Sequence, residues 1–278
     1  MSNPLVTVEK LNVSFPGRGG VTHAVRDVSF TLGRERLGIV GESGSGKSTV
    51  GRAVLGLLPS SARVSAQRMD FAGENLLGFS DNDWQRLRGR RASMVMQDPK
   101  FSLNPVVKAG HQIGETCRLH LGSDAADAKR RALAMLEAVK IRDPEMVYHL
   151  YPHQLSGGMG QRVMIAMMLI AKPDVLIADE PTSALDVTVQ NEVLRILDDL
   201  VKDGGMGLIF ISHNLTVVSS FCDRVLIMYG GKIMEECEAR HLHKAKHPYT
   251  QALLAAAPSV ERPRAELATM VRDPAWLA

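Results

Sequence analysis

The sequence predicts an α/β fold with a mostly parallel sheet, an antiparallel β unit before it and a helical subdomain inserted within it. Three observations carry this expectation. Four short apolar runs are continuous rather than alternating: LGIV at 37–40, MVM at 94–96, VLIA at 175–178 and LIFI at 208–211. Such runs suit strands buried on both faces of a parallel sheet. Each run ends in glycine or polar residues, and a stretch of about 75 residues with helical pattern separates the second run from the third.

The first element is the alternating segment LVTVEKLNVSF (5–15), broken by GRGG and resumed as THAVRDVSFTL (22–32). Alternation around a glycine break predicts a hairpin or small antiparallel unit. The first continuous run follows it. In the helical stretch, SDAADAKRRALAMLEAVKI starts at Ser123, which is expected to cap a helix. Past Pro258 the sequence SVERPRAELATMVRDPAWLA has weak periodicity and reads as a loosely packed tail. The expected division is a nucleotide-binding domain over 1–258, with its helical insert at about 100–170, and a C-terminal extension and tail over 240–278.

Composition narrows the function. The chain of 278 residues is 45% hydrophobic and 23% charged, enough to bury a core without staples. A net charge of +3 without long runs of one sign argues against a dedicated nucleic-acid binder. Cys117, Cys222 and Cys237 are scattered outside any metal-ligand spacing and read as reduced, mostly buried thiols of a cytosolic protein. The start MSNPLVTVEK lacks a signal pattern, and no stretch approaches the roughly 18 apolar residues of a membrane span. Any membrane role is therefore expected to come through a partner.

The chemistry lies at the ends of the apolar runs, which is where ligands sit in open α/β sheets. GESGSGKST comprises Gly41, Glu42, Ser43, Gly44, Ser45, Gly46, Lys47, Ser48 and Thr49, and it matches the phosphate loop G-x-x-x-x-G-K-[ST] between a strand and a helix. Its glycines let backbone N–H groups point at phosphate, aided by the positive end of the following helix. Lys47 is expected to reach the β- and γ-phosphates and the Ser48 hydroxyl to ligate Mg2+. In VLIADEPTSALD the strand delivers Asp179 to hold Mg2+ and Glu180 to polarise the attacking water. In LSGGMGQRVMIAMMLI (155–170), Ser156 is expected to cap an apolar helix, while Gly157 and Gly158 leave amides bare for an anion. Taken alone, that last segment reads as an N-capped buried helix, and its place between the phosphate loop and the acidic pair is what favours the anion reading.

These motifs, in this order, resemble the nucleotide-binding subunit of ABC (ATP-binding cassette) transporters, from about Val6 to about Pro258. The resemblance implies a P-loop NTPase core that binds ATP with Mg2+. It implies that Phe15 stacks on adenine, Gln97 in MVMQDP is the Q-loop residue that also faces the metal, LSGGM is the signature, Ser183 to Asp186 is the D-loop and His213 is the switch histidine. Phe15 also suits the core of the hairpin, since apolar residues of alternating strands usually pack inward. Gln97 and His213 in isolation are ordinary strand-end polar residues.

Within the family the chain resembles subunits that power bacterial oligopeptide, dipeptide and nickel uptake, on QDPKFSLNP (97–105), LSGGM with Met159, and HPYTQALL (247–254). That implies a motor at the cytoplasmic face of the bacterial inner membrane. Its implied partners are a second, non-identical cassette, two transmembrane permease subunits and, indirectly, an extracytoplasmic solute-binding protein, with no nucleic acid. Nickel or another small solute is the alternative cargo, and a soluble ABC ATPase acting on nucleic acid is the alternative class. Gly160 stands where relatives often carry a larger residue, and no cysteine follows Cys237, so the tail is expected to hold no iron–sulfur cluster.

Overall fold

The computed structural model describes residues 3–17, 19–98, 102–182, 185–256, 273 and 276. In chain order the strands are β1 (Val6–Gly17), β2 (Gly20–Leu32), β3 (Arg36–Val40), β4 (Arg63–Ser65), β5 (Arg68–Phe71), β6 (Glu74–Asn75), β7 (Ala92–Val95), β8 (Val175–Asp179), β9 (Gly207–Ile211), β10 (Arg224–Tyr229) and β11 (Lys232–Glu238). The helices are α1 (Lys47–Val54), α2 (Asp81–Leu87), α3 (Ala109–Leu121), α4 (Ala125–Ala138), α5 (Pro144–His149), α6 (Gly157–Leu169), α7 (Val187–Gly204), α8 (Leu215–Phe221) and α9 (Pro248–Ala256). The chain forms two compact units, Met1–Phe79 with Ile209–Ala278, and Ser80–Leu208.

In the first unit, β1 and β2 form the expected antiparallel hairpin, from Val6 opposite Leu32 to Gly17 opposite Gly20. β5 pairs with the other edge of β1, and the sheet runs β2-β1-β5-β6. Strict alternation would turn Leu11 outward if Val6 and Val8 face inward, yet all three are buried together with Val13. A register shift between Val8 and Leu11 restores the inward face. Asn12 stabilises the irregular stretch, since its side-chain amide donates to Asp27 Oδ1 at 2.9 Å and its oxygen accepts the Asp27 N–H at 3.1 Å.

The same unit holds β3, which pairs parallel with β10 from Leu37 opposite Arg224 to Val40 opposite Ile227. β10 turns back into antiparallel β11. The Ser212 N–H donates to the Ile39 carbonyl at 3.1 Å, which sets the end of β9 beside β3. β10 was not among the expected strands, although its core VLIM is a run of the same kind as the four recognised. α8 lies on β3 so closely that a β-carbon on Gly38 would stand 2.6 Å from Val218 and 3.1 Å from Cys222 Sγ. Burial there pushes the Cys222 thiol well above its ordinary pKa. Cys117 is likewise buried and Cys237 half-buried, and all three are free thiols.

In the second unit, β7 and β8 pair parallel from Ala92 opposite Val175 to Val95 opposite Ala178. Helices α3 to α6 follow one another between these strands, with α2 before and α7 after. Side chains cap most of them: Ser80 and Asp83 form a reciprocal capping box on α2, and Asp143 caps α5 with Pro144 at its first position. The expected cap of α4 at Ser123 is corrected. Asp124 occupies the cap position and accepts the Asp127 N–H at 2.8 Å, while Ser123 donates its hydroxyl to Asp127 Oδ2. A carboxylate outcompetes a hydroxyl there because it adds a charge to the positive helix end.

Among the described residues no helix is long and apolar enough to cross a membrane. The expected tail beyond Pro258 lies outside the described residues, apart from Asp273 and Trp276.

α3 and α5 meet where Gly110 faces Tyr148, and a β-carbon on Gly110 would lie 2.0 Å from the ring. Gly110→Ala is therefore expected to lower the unfolding free energy by about 1–3 kcal/mol through overpacking. Urea denaturation checks this, and an unchanged midpoint would show that the ring yields freely.

Candidate functional site

The phosphate loop leaves β3 at Gly41, where the chain passes over the end of β10. A β-carbon on Gly41, whose φ is 152°, would lie 2.0 Å from the Met228 carbonyl oxygen. Gly46, at φ 99°, is as constrained, its β-carbon position being 2.4 Å from the Ala24 carbonyl. The Gly231 N–H donates to the Ser45 carbonyl at 3.1 Å, and the Arg26 N–H donates to the Gly231 carbonyl at 2.8 Å, so β2 and the β10–β11 turn grip the loop from one side.

Lys47 opens α1 and is only 6% exposed. Its ammonium donates to the carbonyls of Gly41 and Glu42, each at 2.8 Å, and reaches Ser45 Oγ at 3.5 Å. An ammonium has three donors and no acceptor, so this cradle offsets the cost of burying it. A fixed positive charge thus stands at a helix N-terminus, an arrangement suited to polyphosphate. Ser43 and Gly44 are exposed, while Ser48 and Thr49 are half-buried in the first turn of α1.

His213 follows β9 in the same unit and is exposed. Its neighbours are fixed: the buried Ser212 is bonded to β3, and Asn214 caps α8 by accepting from the Thr216 and Val217 N–H groups. His213 and the phosphate loop therefore stand at the carboxyl ends of neighbouring strands. Phe15 is half-buried near the end of β1, opposite Thr22.

The acidic pair lies in the second unit, at the end of β8. Asp179 is 3% exposed and closes a fully buried strand. Glu180 follows with φ 49°, a left-handed backbone that costs a residue with a β-carbon about 1–3 kcal/mol. Gln97, two residues past parallel β7, donates its side-chain amide to Glu180 Oε2 at 3.1 Å. The structure thus brings together two residues separated by most of the helical stretch.

Ser156 caps α6, its hydroxyl accepting the Met159 N–H at 3.3 Å, and Ser156 and Gly157 are exposed. Gly158 faces α7, with Val189 3.0 Å from its β-carbon position. Asp186 caps α7 by accepting from the Val189 N–H at 3.0 Å, so one of its carboxylate oxygens already serves the helix. Ser183 and Ala184 of the expected D-loop lie outside the described residues, as do Pro99 to Phe101 of QDPKFSLNP. Asn104, further along that segment, is held to α3 by Gln112, which accepts its N–H at 2.9 Å and donates to its carbonyl at 3.0 Å.

One residue at the loop was not expected. The hydroxyl of fully buried Tyr249, in α9, accepts the Glu42 N–H at 3.2 Å. A buried tyrosine needs a partner for its hydroxyl, but the sequence does not say which.

Residues 25–183 match the family described as ABC transporter. The chain is also 43% identical over 275 residues to the oligopeptide transport ATP-binding protein OppD of Salmonella typhimurium, covering 98% of this chain and 82% of that one. This chain belongs to the ABC transporter family. It is similar as well to the dipeptide transport ATP-binding protein DppD of Bacillus subtilis, 43% identical over 266 residues that cover 95% of this chain and 79% of the relative. Among solved structures, cbiO1 from Clostridium perfringens, part of the ABC transporter complex cbiONQ, superposes with a TM-score of 0.74 at 26% identity, covering 87% of this chain and 92% of that one. A dimeric bacterial ABC transporter cassette superposes with a TM-score of 0.77 at 24% identity, covering 84% and 99%, and shares the fold.

The close approach at the loop separates its glycines. Gly44 has φ 80° but open space around it, so Gly44→Ala is expected to cost about 1–2 kcal/mol of stability. Gly41→Ala meets a backbone oxygen as well, and is expected to cost about 3 kcal/mol or more. Equal losses in the two variants, measured by denaturation, would refute the contact with Met228.

Proposed function

We propose that this ABC family member is the ATP-binding and ATP-hydrolysing subunit of an importer of oligopeptides or dipeptides. The buried Lys47 ammonium, held within a glycine loop at the start of α1, carries the nucleotide reading, because that chemistry serves a polyphosphate. The solute class rests on relatives named for oligopeptide and dipeptide transport, which match over 95–98% of this chain.

In this reading Phe15 stacks on the base, Gly41 to Thr49 wrap the phosphates, and Lys47, anchored by the carbonyls of Gly41 and Glu42, reaches the β- and γ-phosphates. Ser48, Asp179 and Gln97 offer hydroxyl, carboxylate and amide oxygens, a donor set that fits a hard divalent cation. Bound Mg2+ would neutralise charge on the phosphates. Glu180 accepts a proton from the attacking water, and the Gln97 amide on its other oxygen orients the carboxylate for that work. His213 contacts the γ-phosphate. Ser156, Gly157 and Gly158 with Asp186 serve a second cassette's nucleotide, because amides at the exposed start of α6 suit an anion brought by a partner.

That second cassette is a non-identical relative, and the pair drives two permease subunits at the cytoplasmic face of the inner membrane, fed by an extracytoplasmic solute-binding protein. The helical insert at about 100–170 and the extension over 240–278 are the parts we assign to partner contact and to support of the loop.

Glu180→Gln is expected to retain MgATP binding while kcat falls by about 100-fold or more, since the amide keeps the shape and loses the base. Turnover near the wild-type rate would remove Glu180 from that role. Lys47→Ala and Asp179→Asn should instead weaken MgATP binding itself, as read by calorimetry. At the level of the assembly, cells lacking this chain are expected to lose uptake of labelled di- and oligopeptides, and the purified complex should contain one copy of it beside a different cassette. Undiminished peptide uptake would exclude the solute class, and two copies of this chain would exclude the unlike partner.

A further inference from the structure

The peptide group joining Gly41 to Glu42 is bonded on both sides. Its carbonyl, that of Gly41, accepts from Lys47 Nζ at 2.8 Å, and its N–H, that of Glu42, donates to Tyr249 Oη at 3.2 Å. The two bonds share one rigid plane, so rotating that peptide disturbs both. A cation on the carbonyl also polarises the amide, and the chain Nζ–H···O=C–N–H···Oη strengthens cooperatively.

Tyr249 is well placed to hold that plane. It is fully buried, and its ring lies 4.5 Å from that of Tyr229 and 5.3 Å from that of Trp276, between centroids. The turn before it is fastened to β11 by Glu235, whose two carboxylate oxygens accept the N–H groups of Lys246 at 2.7 Å and His247 at 3.2 Å. His247 Nδ1 then accepts the Tyr249 N–H at 3.1 Å. A ring wedged in this way loses little entropy in keeping its hydroxyl on the loop.

We propose that Tyr249 is a positioning residue for nucleotide binding: through the Gly41–Glu42 peptide it sets the place from which Lys47 meets phosphate, making the C-terminal segment part of the binding apparatus. The proposal rests on the phosphate-loop reading above.

Tyr249→Phe removes the hydroxyl and keeps the ring. One hydrogen bond of this kind predicts that the Kd for MgATP, and with it KM, rises about 2- to 10-fold while kcat at saturation stays within about twofold. Tyr229→Phe, which strips a hydroxyl from the same ring cluster without touching the loop, should leave Kd unchanged. Amide hydrogen exchange gives a second readout: the Glu42 N–H should be protected in the wild-type chain and exchange faster in Tyr249→Phe. An unchanged Kd in Tyr249→Phe, an equal shift in Tyr229→Phe, or an unprotected Glu42 amide in the wild-type chain would each overturn the brace. Lys47→Ala separates the two levels: if it abolishes binding while Tyr249→Phe does nothing, only the brace fails, and if it binds MgATP normally, the phosphate-loop reading fails with it.

Discussion

The Met228 carbonyl oxygen lies where a β-carbon on Gly41 would have to be, and the geometry of the loop depends on that approach. Because the chain can pass over β10 only without a side chain, Gly41 takes a backbone that other residues rarely adopt. The loop then curls so that the carbonyls of Gly41 and Glu42 point at Lys47. Burying an unpartnered ammonium costs far more than the few kcal/mol of conformational strain in such a loop, so the carbonyl cradle outweighs the strain that creates it. Strain and cradle are two results of one path, since a loop that relieved the first would open the second.

The acidic segment in the second unit follows different physics. β8 is buried along its whole length, which fixes Asp179 with little freedom. Glu180 turns off the strand in a left-handed backbone, and a carboxylate there leaves the sheet at a defined angle. Strain of this sort persists only where neighbouring structure over-determines it. Here the buried strand precedes Glu180 and the Gln97 amide holds one carboxylate oxygen.

Burial of Tyr249 links the C-terminal segment to this scheme. Glu235 accepts two backbone N–H groups, and although burial by itself raises its pKa, the amides of Lys246 and His247 are among the donors that hold it below the ordinary carboxylate value. The carboxylate therefore stays charged across neutral pH and keeps the turn before α9 docked on β11.

Much of this protein was determined by sequence alone, for a definite reason. The glycine pattern of 41–49, the acids after VLIA and the Ser-Gly-Gly turn are local: their chemistry depends on backbone freedom and side-chain type within a few residues, which spacing records. The parallel runs were legible because burial on both faces erases alternation, and the same reasoning extends to VLIM in β10. Tertiary structure decided what depends on distant partners. The bulge that turns Leu11 inward is flanked by bonds between Asn12 and Asp27 of the facing strand. The cap at Asp124 in place of Ser123 is a competition of about one residue in register, below what periodicity resolves. The bond from Gln97 to Glu180 spans 83 residues, and that from Tyr249 to Glu42 spans 207. Sequence records that a buried tyrosine must find a hydrogen-bond partner; only the folded chain chooses the amide of Glu42, because packing of β11, α9 and the aromatic cluster brings that hydroxyl to the loop.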